Sequence, residues 1–390
     1  MTSFTIDTAR AKPWAERMAV IALFIANGFG VGAWATTIPA LKLRHGLSDG
    51  SLSLVLFALT LGGVIGMPLA GYIGQRFGSA TACRVTALWY AVGLLLPTQA
   101  ASFGTLAVAC FAMGSGNASM DVSMNVQASD VERRWGSAIM SFFHACWSIG
   151  ALAGAAFGAI VFAQGLEANW ILWGAAVVAA VLLAVAFGSL FNGDASGGSP
   201  ILSFPGWSAV PLCLALLLAM LCEHAVTDWS GVYLRVRALA QPADAAAGYV
   251  FFAGSMLVGR LFGDTIVHRF GRTTVLRMGS LLAAAGLLLV ALVPVQLPCL
   301  IGLSLAGFGI ANVVPALFSA ASRIGTSASA GIAIAATAGY TGFLSGPPII
   351  GGIATTVGLQ AAMVFMAACA LAIALLSGRL PASAPAAAKT

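Results

Sequence analysis

Charge is what this chain has least of: Asp, Glu, Lys and Arg make up 8% of its 390 residues, against roughly 25% in a soluble domain. A water-soluble fold of this length needs far more polar surface, so the solvent for most of the chain is expected to be lipid. A phosphate-cradling GxxxxGK(S/T) loop is absent from the sequence, which argues against a nucleotide-driven pump. Metal-ligand spacing is missing too. The seven cysteines (Cys83, Cys110, Cys146, Cys213, Cys222, Cys299 and Cys369) lie inside or at the ends of apolar runs and read as small reduced core residues, with no metal and no cofactor expected. No small-residue cleavage site follows the first apolar run, so that run is expected to be the first membrane helix and not a removable leader. The net charge of +6 comes from basic residues scattered in short clusters between apolar runs. That pattern suits anchoring at a membrane face and gives no support to nucleic-acid binding.

What is present is apolar length. Hydrophobic residues reach 60%, mean hydropathy is +0.97, and 46 glycines allow close helix packing where no hydrophobic drive exists between helices. A span takes about 20 apolar residues. Runs between polar or Gly/Pro breaks place helices near 16–42, 50–75, 79–99, 103–128, 136–163 and 168–191, then 207–235, 244–268, 273–294, 297–322, 329–356 and 359–379. Twelve helices put both termini on one side. With the N-terminus inside, 13 Lys and Arg residues fall on the cytoplasmic side and 4 (Lys42, Arg44, Arg235 and Arg237) outside, Arg260 being within a helix. The positive-inside rule therefore predicts cytoplasmic termini. The divisions are residues 1–191, a first six-helix half; 192–206, a Gly/Ser-rich cytoplasmic linker; 207–380, a second half; and 381–390, an Ala/Pro-rich tail expected to be disordered.

The halves repeat. Arg76-Phe77-Gly78 recurs as Arg269-Phe270-Gly271, an offset of 193 (269 − 76). The same offset carries Arg84 to Arg277, Gly66 to Gly259, Gly114 to Gly307, Gly116 to Gly309, and Lys42 and Arg44 to Arg235 and Arg237. So many ungapped matches mean a duplicated unit. Six helices per unit make the repeat parallel, with the solute site expected near the midplane between the halves.

The loop Gly71-Tyr72-Ile73-Gly74-Gln75-Arg76-Phe77-Gly78 resembles the signature loop of the major facilitator superfamily, with a weaker copy after the eighth helix. The acidic residue usual there is replaced by Gln75 and His268, which leaves the family's charge latch without its partner. Three further segments, Met120-Asp121-Val122-Ser123-Met124-Asn125, Ser141-Phe142-Phe143-His144 and Asp228-Trp229-Ser230-Gly231-Val232-Tyr233, are similar to the rhizopine-transporter-like sub-branch, as is Gly342 to Pro348. The resemblance implies an all-α membrane protein of twelve transmembrane helices in two six-helix bundles, with helices 1, 4, 7 and 10 and parts of 5, 8 and 11 lining a pathway. It also implies a transporter, not an enzyme, working as a monomer in the bacterial inner membrane.

A charge at the centre of a membrane helix costs about 3 kcal/mol on insertion scales, so Asp121, His144, Glu223, His224, Asp228 and Arg260 need reasons. Asp121 and His144 enter from the same side at similar depth. They read either as a proton-linked pair or as a structural bond locking helices 4 and 5. Glu223 and Asp228 are five residues apart, about 140° around the helix, so both cannot face a cavity squarely. Glu223 is the better proton carrier. Asp228 reads either as a further proton-coupling carboxylate or, the favoured alternative, as a partner of His224, Arg235 or Arg237. Arg260 and Asp264 read as a self-satisfying pair steadying the inner gate, with Arg76 and Arg269 in the loops beside it. Asn27, Trp34, Asn117, Asn125, Trp147, Asn312 and Tyr340 are the candidate solute-binding residues. Their amides and aromatic faces suit a sugar- or polyol-like solute and are equally common as packing groups.

The leading expectation is a secondary transporter importing a small polar organic solute with protons. Efflux of drugs or metabolites is the runner-up, disfavoured by the absence of proline in helix 5. A membrane sensor that binds a solute without moving it is the alternative of another class.

Overall fold

Inside a hydrocarbon layer no water is available to the backbone, so each segment must satisfy its own N–H and C=O groups, which helices do. The computed structural model describes residues 13–136, 139–192, 209–321 and 328–380. Its first half runs α1 (Trp14–Arg44), α2 (Asp49–Phe77), α3 (Ser79–Gln99), α4 (Phe103–Trp135), α5 (Met140–Ala163) and α6 (Ala168–Ala186). The second runs α7 (Val210–Arg237), α8 (Pro242–Leu261), α9 (Gly263–Phe270), α10 (Arg272–Leu292), α11 (Gln296–Ile310), α12 (Val313–Ala321), α13 (Ala328–Thr356) and α14 (Leu359–Leu376). These are twelve spans, because the eighth is interrupted into α8 and α9 and the tenth into α11 and α12. Among the described residues nine helices are long and apolar enough to cross a membrane; α13 and the spans of α4 and α8, which carry Asp121 and Arg260, are outside that set.

The duplication is visible in the backbone. With the 193-residue offset, α2 matches α8 plus α9 from first residue to last (Asp49 to Pro242, Phe77 to Phe270), and α3 matches α10 (Ser79 to Arg272, Gln99 to Leu292). Left-handed turn residues follow the same register: Gly46 and Leu239 (φ +57° and +52°), Gly78 and Gly271 (+88° and +78°), Gly165 and Gly358 (+73° and +105°). Leu239 is the one non-glycine with positive φ among the described residues. It keeps the turn that its twin Gly46 makes without steric cost.

Small residues set which helices meet. On α5, Gly150 and Gly154 lie against the backbone of Ile25 and Phe29 on α1, and Gly158 against Thr36. In return Gly28 and Gly32 on α1 lie against the backbone of Trp147 and Ala151. A Cβ at Gly28, Gly32, Gly150 or Gly154 would enter the facing backbone, so this contact needs glycine at each of these four positions. It draws α5 onto α1, whereas α4 packs on α2 and α3 and barely touches α5.

Across the halves, α2 packs on α13 and α5 on α8. Ser53 Oγ donates to the Pro347 carbonyl at 2.6 Å, with Gly351 beside it and Gly231 against Pro39. All of these lie toward the end away from Arg76 and Arg269. Among the described residues no hydrogen bond or ion pair joins the halves at the arginine-bearing end. There the first half is braced within itself. Glu132 Oε2 caps α5 through the N–H groups of Ile139 and Met140 at 2.7 Å each, and Arg134 pairs with Glu16 at 3.3 Å. Asn192, expected as the first linker residue, instead accepts the Ala80 N–H at 3.0 Å and fills the space that glycine leaves at Gly78. The rest of the linker, and the tail from 381, lie outside the described residues.

Two substitutions test this frame. Gly154→Leu forces α1 and α5 apart and is expected to destabilise by about 1–3 kcal/mol or more, read as an earlier thermal unfolding midpoint of the purified protein. Leu239→Gly removes a strain of about 1 kcal/mol and is expected to leave the midpoint unchanged or raised; a clear loss would contradict the strain.

Candidate functional site

A cavity of about 260 Å³ lies between the halves, lined by α1 to α5 on one side and by α7, α8 and α13 on the other. Its first wall is organised around Asn27, which is 2% exposed. The Asn27 amide donates to Asn117 Oδ1 at 3.1 Å and accepts the Trp147 indole N–H at 2.8 Å. The Tyr90 hydroxyl donates to the Asn27 carbonyl at 3.2 Å, in the space that Gly30 leaves by having no Cβ. Asn27 therefore spends its hydrogen bonds on holding its neighbours. Asn117 keeps its amide nitrogen without a hydrogen bond among the described residues, on the cavity wall. Trp34 lines the same wall, and its buried indole N–H has no hydrogen-bond partner among them.

The second wall is built on Arg260. Its guanidinium pairs with Glu223 Oε1 at 3.0 Å, donates to the Ala311 carbonyl at 3.4 Å, and reaches Ser148 Oγ of the first half at 3.5 Å. Ala311 sits where the tenth span is interrupted and a helical carbonyl loses its usual partner. The neighbouring Asn312 donates to the Gly259 carbonyl at 2.9 Å, with Gly263 leaving room for its side chain. The two interruptions thus satisfy one another. Asn312 is employed there and is not on the cavity wall. The expected pair with Asp264 falls on a side chain outside the described residues; among those described, Arg260 bridges to Glu223.

Asp121 and Asp228 both line the cavity. Asp121 accepts the Asn125 amide at 3.3 Å; Asn125, expected to meet the solute, supports Asp121 from behind. Asp228 has no hydrogen bond or ion pair among the described residues. The arginines expected to reach it are engaged elsewhere, Arg235 at the Ala240 carbonyl and Arg237 at Gln360, 3.3 Å away. His224 packs its ring on Phe343 at 4.1 Å. Glu223 and Asp228 both line the cavity, about 140° apart on α7, because the cavity wraps a wide arc of that helix.

The expected Asp121–His144 contact is not made among the described residues. His144 is exposed and meets Phe24 edge-on at 5.4 Å. The cause is the glycine contact between α1 and α5, which keeps α5 away from α4. Tyr340 lines the cavity from α13. Arg76 and Arg269 are exposed at the arginine-bearing end, Arg269 lying over the Phe270 ring at 5.6 Å. Tyr90, Tyr249 and Phe252 also line the cavity. Sequence reasoning missed them, since an aromatic residue in an apolar run carries no mark of which way it faces.

The family model described as Major Facilitator Superfamily matches residues 20–340. An uncharacterised MFS-type transporter of Yersinia pestis is 36% identical over 91% of this chain and 92% of its own length. Membrane protein MosC of Rhizobium meliloti is 34% identical over 91% and 88%. Among solved structures, a mutant of the nucleoside transporter NupG superposes with a TM-score of 0.76 at 14% identity, covering 93% of this chain and 99% of that one. A bacterial homologue of the human lysosomal transporter Spinster, inward-facing and occupied, gives 0.71 at 14%, covering 94% and 98%.

The Arg260–Glu223 bridge makes a stability prediction. Arg260→Met leaves a half-buried carboxylate unpaired and is expected to destabilise more than the double variant Arg260→Met/Glu223→Gln, with a coupling of about 1 kcal/mol. Strictly additive losses in a double-mutant cycle of unfolding midpoints would show that the bridge has no energetic weight.

Proposed function

The chain belongs to the Major Facilitator Superfamily, and on that premise we propose that it carries a small polar organic solute across the bacterial inner membrane by alternating access, driven inward by protons. That it is a secondary transporter follows from the family; the solute, the coupling and the direction are our reading. The observation that carries the reading is the cavity itself. It is lined from both halves and holds carboxylates in otherwise apolar helices.

Alternating access asks for two arrangements of the halves. The contacts at Ser53–Pro347 and Gly231–Pro39 close one end. Reading the arginine-rich end as cytoplasmic by the positive-inside rule would make both termini cytoplasmic and put the end joined at Ser53–Pro347 on the outer side. Arg260 reaches Ser148 of the other half while paired with Glu223, so a proton on Glu223 would remove the counter-charge of the one guanidinium that touches both halves. Asp121, on the facing wall and supported by Asn125, is the second group able to hold a proton. Amides and aromatic rings on the walls suit a hydroxylated solute, the rings stacking and the Asn117 amide bonding oxygen.

The test is uptake by proteoliposomes, with sugars and polyols screened first by thermal stabilisation. Accumulation is expected to follow an imposed proton gradient and to be lost in Glu223→Gln and Asp121→Asn, while counterflow, which needs no gradient, survives in at least one of them. Uptake indifferent to a collapsed gradient, or intact in both variants, would remove proton coupling. Binding with no counterflow would turn the reading to a membrane sensor.

A further inference from the structure

Carboxylates are few at the arginine-bearing end of the first half, and each described one is committed. Glu16 pairs with Arg134 at 3.3 Å, Asp130 pairs with Arg133, and Glu132 accepts the N–H groups of Ile139 and Met140. Arg84 is answered by the carbonyls of Phe187 and Leu190, at 2.9 and 3.2 Å, and Arg76 is exposed to solvent. Arg17, in the first turn of α1, is half-buried, and its side chain has no hydrogen bond or ion pair among the described residues. Its guanidinium lies instead 4.5 Å from the ring centroid of Trp135 on α4, 4.8 Å from that of Phe142 on α5 and 5.4 Å from that of Trp14. Three helix ends converge on one cation.

Aromatic faces attract the charge, but they do not replace oxygen acceptors for the five N–H donors of a guanidinium. The Nε–H is sealed without a partner, so the two terminal NH2 groups are the donors left for a ligand. They form a fork that fits the oxygens of a phosphate. The surroundings indicate where that phosphate comes from. Trp14, Met18 and Phe142 are 59%, 55% and 44% exposed, an apolar rim that a free anion would leave bare and that acyl chains would cover. Tryptophan is at home at headgroup level, and basic pockets between span ends bind lipid headgroups there. A zwitterionic headgroup brings its own cation, so the site asks for a net negative one.

The duplication supplies an internal contrast. The 193-residue offset carries Arg17, Trp135 and Phe142 to Val210, Ala328 and Ala335, so the cation and its rings are missing together from the second half. A general need for anchoring would recur in both halves; a single binding site does not.

We infer that Arg17, with Trp14, Trp135 and Phe142, binds the phosphate of an anionic phospholipid headgroup, whose acyl chains lie along Trp14, Met18 and Phe142. The lipid supplies the counter-charge that the described chain does not. It also ties together the ends of α1, α4 and α5, and α5 is the helix that packs on α8 of the other half. The site is separate from the cavity and independent of the solute reading.

The test is quenching of tryptophan fluorescence by lipids with brominated acyl chains, in the full-length protein reconstituted in phosphatidylcholine vesicles. Brominated phosphatidylglycerol is expected to quench at membrane fractions about fivefold lower than brominated phosphatidylcholine, the weight of one basic residue at an anionic surface. Arg17→Gln should remove that preference and Arg17→Lys should keep most of it, which separates charge from a folding defect. Arg84→Gln, which removes a cation of the same end that has its own carbonyls, should leave the preference intact. Equal quenching by the two lipids, or a preference that survives Arg17→Gln, overturns the inference. Relief of quenching by inorganic phosphate would assign the fork to a free anion and overturn the lipid as its source. A loss of thermal stability shared by Asp7→Asn and Arg17→Gln would place the counter-charge within the chain and overturn it as well.

Discussion

A guanidinium cannot sit alone in an apolar bundle, and the second half of this protein is arranged around that fact. Arg260 is met by a carboxylate from α7, a carbonyl from the interruption between α11 and α12, and a hydroxyl from α5 of the other half. Each of these would itself be costly if left unpaired in lipid. The interrupted eighth and tenth spans are stable because Arg260 and Asn312 take up carbonyls at the breaks, and Glu223 is tolerated because Arg260 is there. Removing the arginine would leave two separate deficits, the Glu223 carboxylate and the Ala311 carbonyl, while the Ser148 hydroxyl keeps its bond to the His144 carbonyl.

The first half solves a different problem with the same frame. Helix ends and left-handed turns follow one 193-residue register, yet Met67 stands where the second half has Arg260. Without a cation to satisfy, the first half closes its wall with neutral groups: Asn27 between Asn117, Trp147 and Tyr90. The glycine contact of α1 with α5 brings Trp147 to Asn27 and, by the same approach, keeps His144 from Asp121. One packing decision thus makes one site contact and forbids another. The halves share geometry and divide the chemistry, with Asp121 on the neutral wall and Glu223, Asp228 and Arg260 on the charged one.

How far the site could be read in advance varied residue by residue. Asn27, Trp34, Asn117, Trp147 and Tyr340 stand out in the sequence as polar or aromatic groups on candidate pathway helices, and all five line the cavity. Asn125 and Asn312 have the same chemistry and the same periodicity but bond to Asp121 and Gly259. An amide's spacing tells which face of its helix it occupies, not whether a cavity or a neighbouring backbone lies beyond. The wheel spacing of Glu223 and Asp228 likewise told how far apart they lie on α7 but not how wide an arc of that helix the cavity covers.

The sequence by itself determined the solvent, the number of spans, the repeat and its register. Each is a property of one chain read along its length: apolar runs long enough for lipid, and residues recurring at a fixed offset. Scarce charge, the feature most evident at first sight, also marked which side chains needed explanation. What only the tertiary structure decided is who answers them. Pairing between spans depends on how closely helices approach and which way their interruptions turn, and these follow from packing among residues far apart in the chain. That is why Arg260 belongs to Glu223 and Ser148, why His144 stands clear of Asp121, and why Asp228 is left facing the cavity without a cation among the described residues.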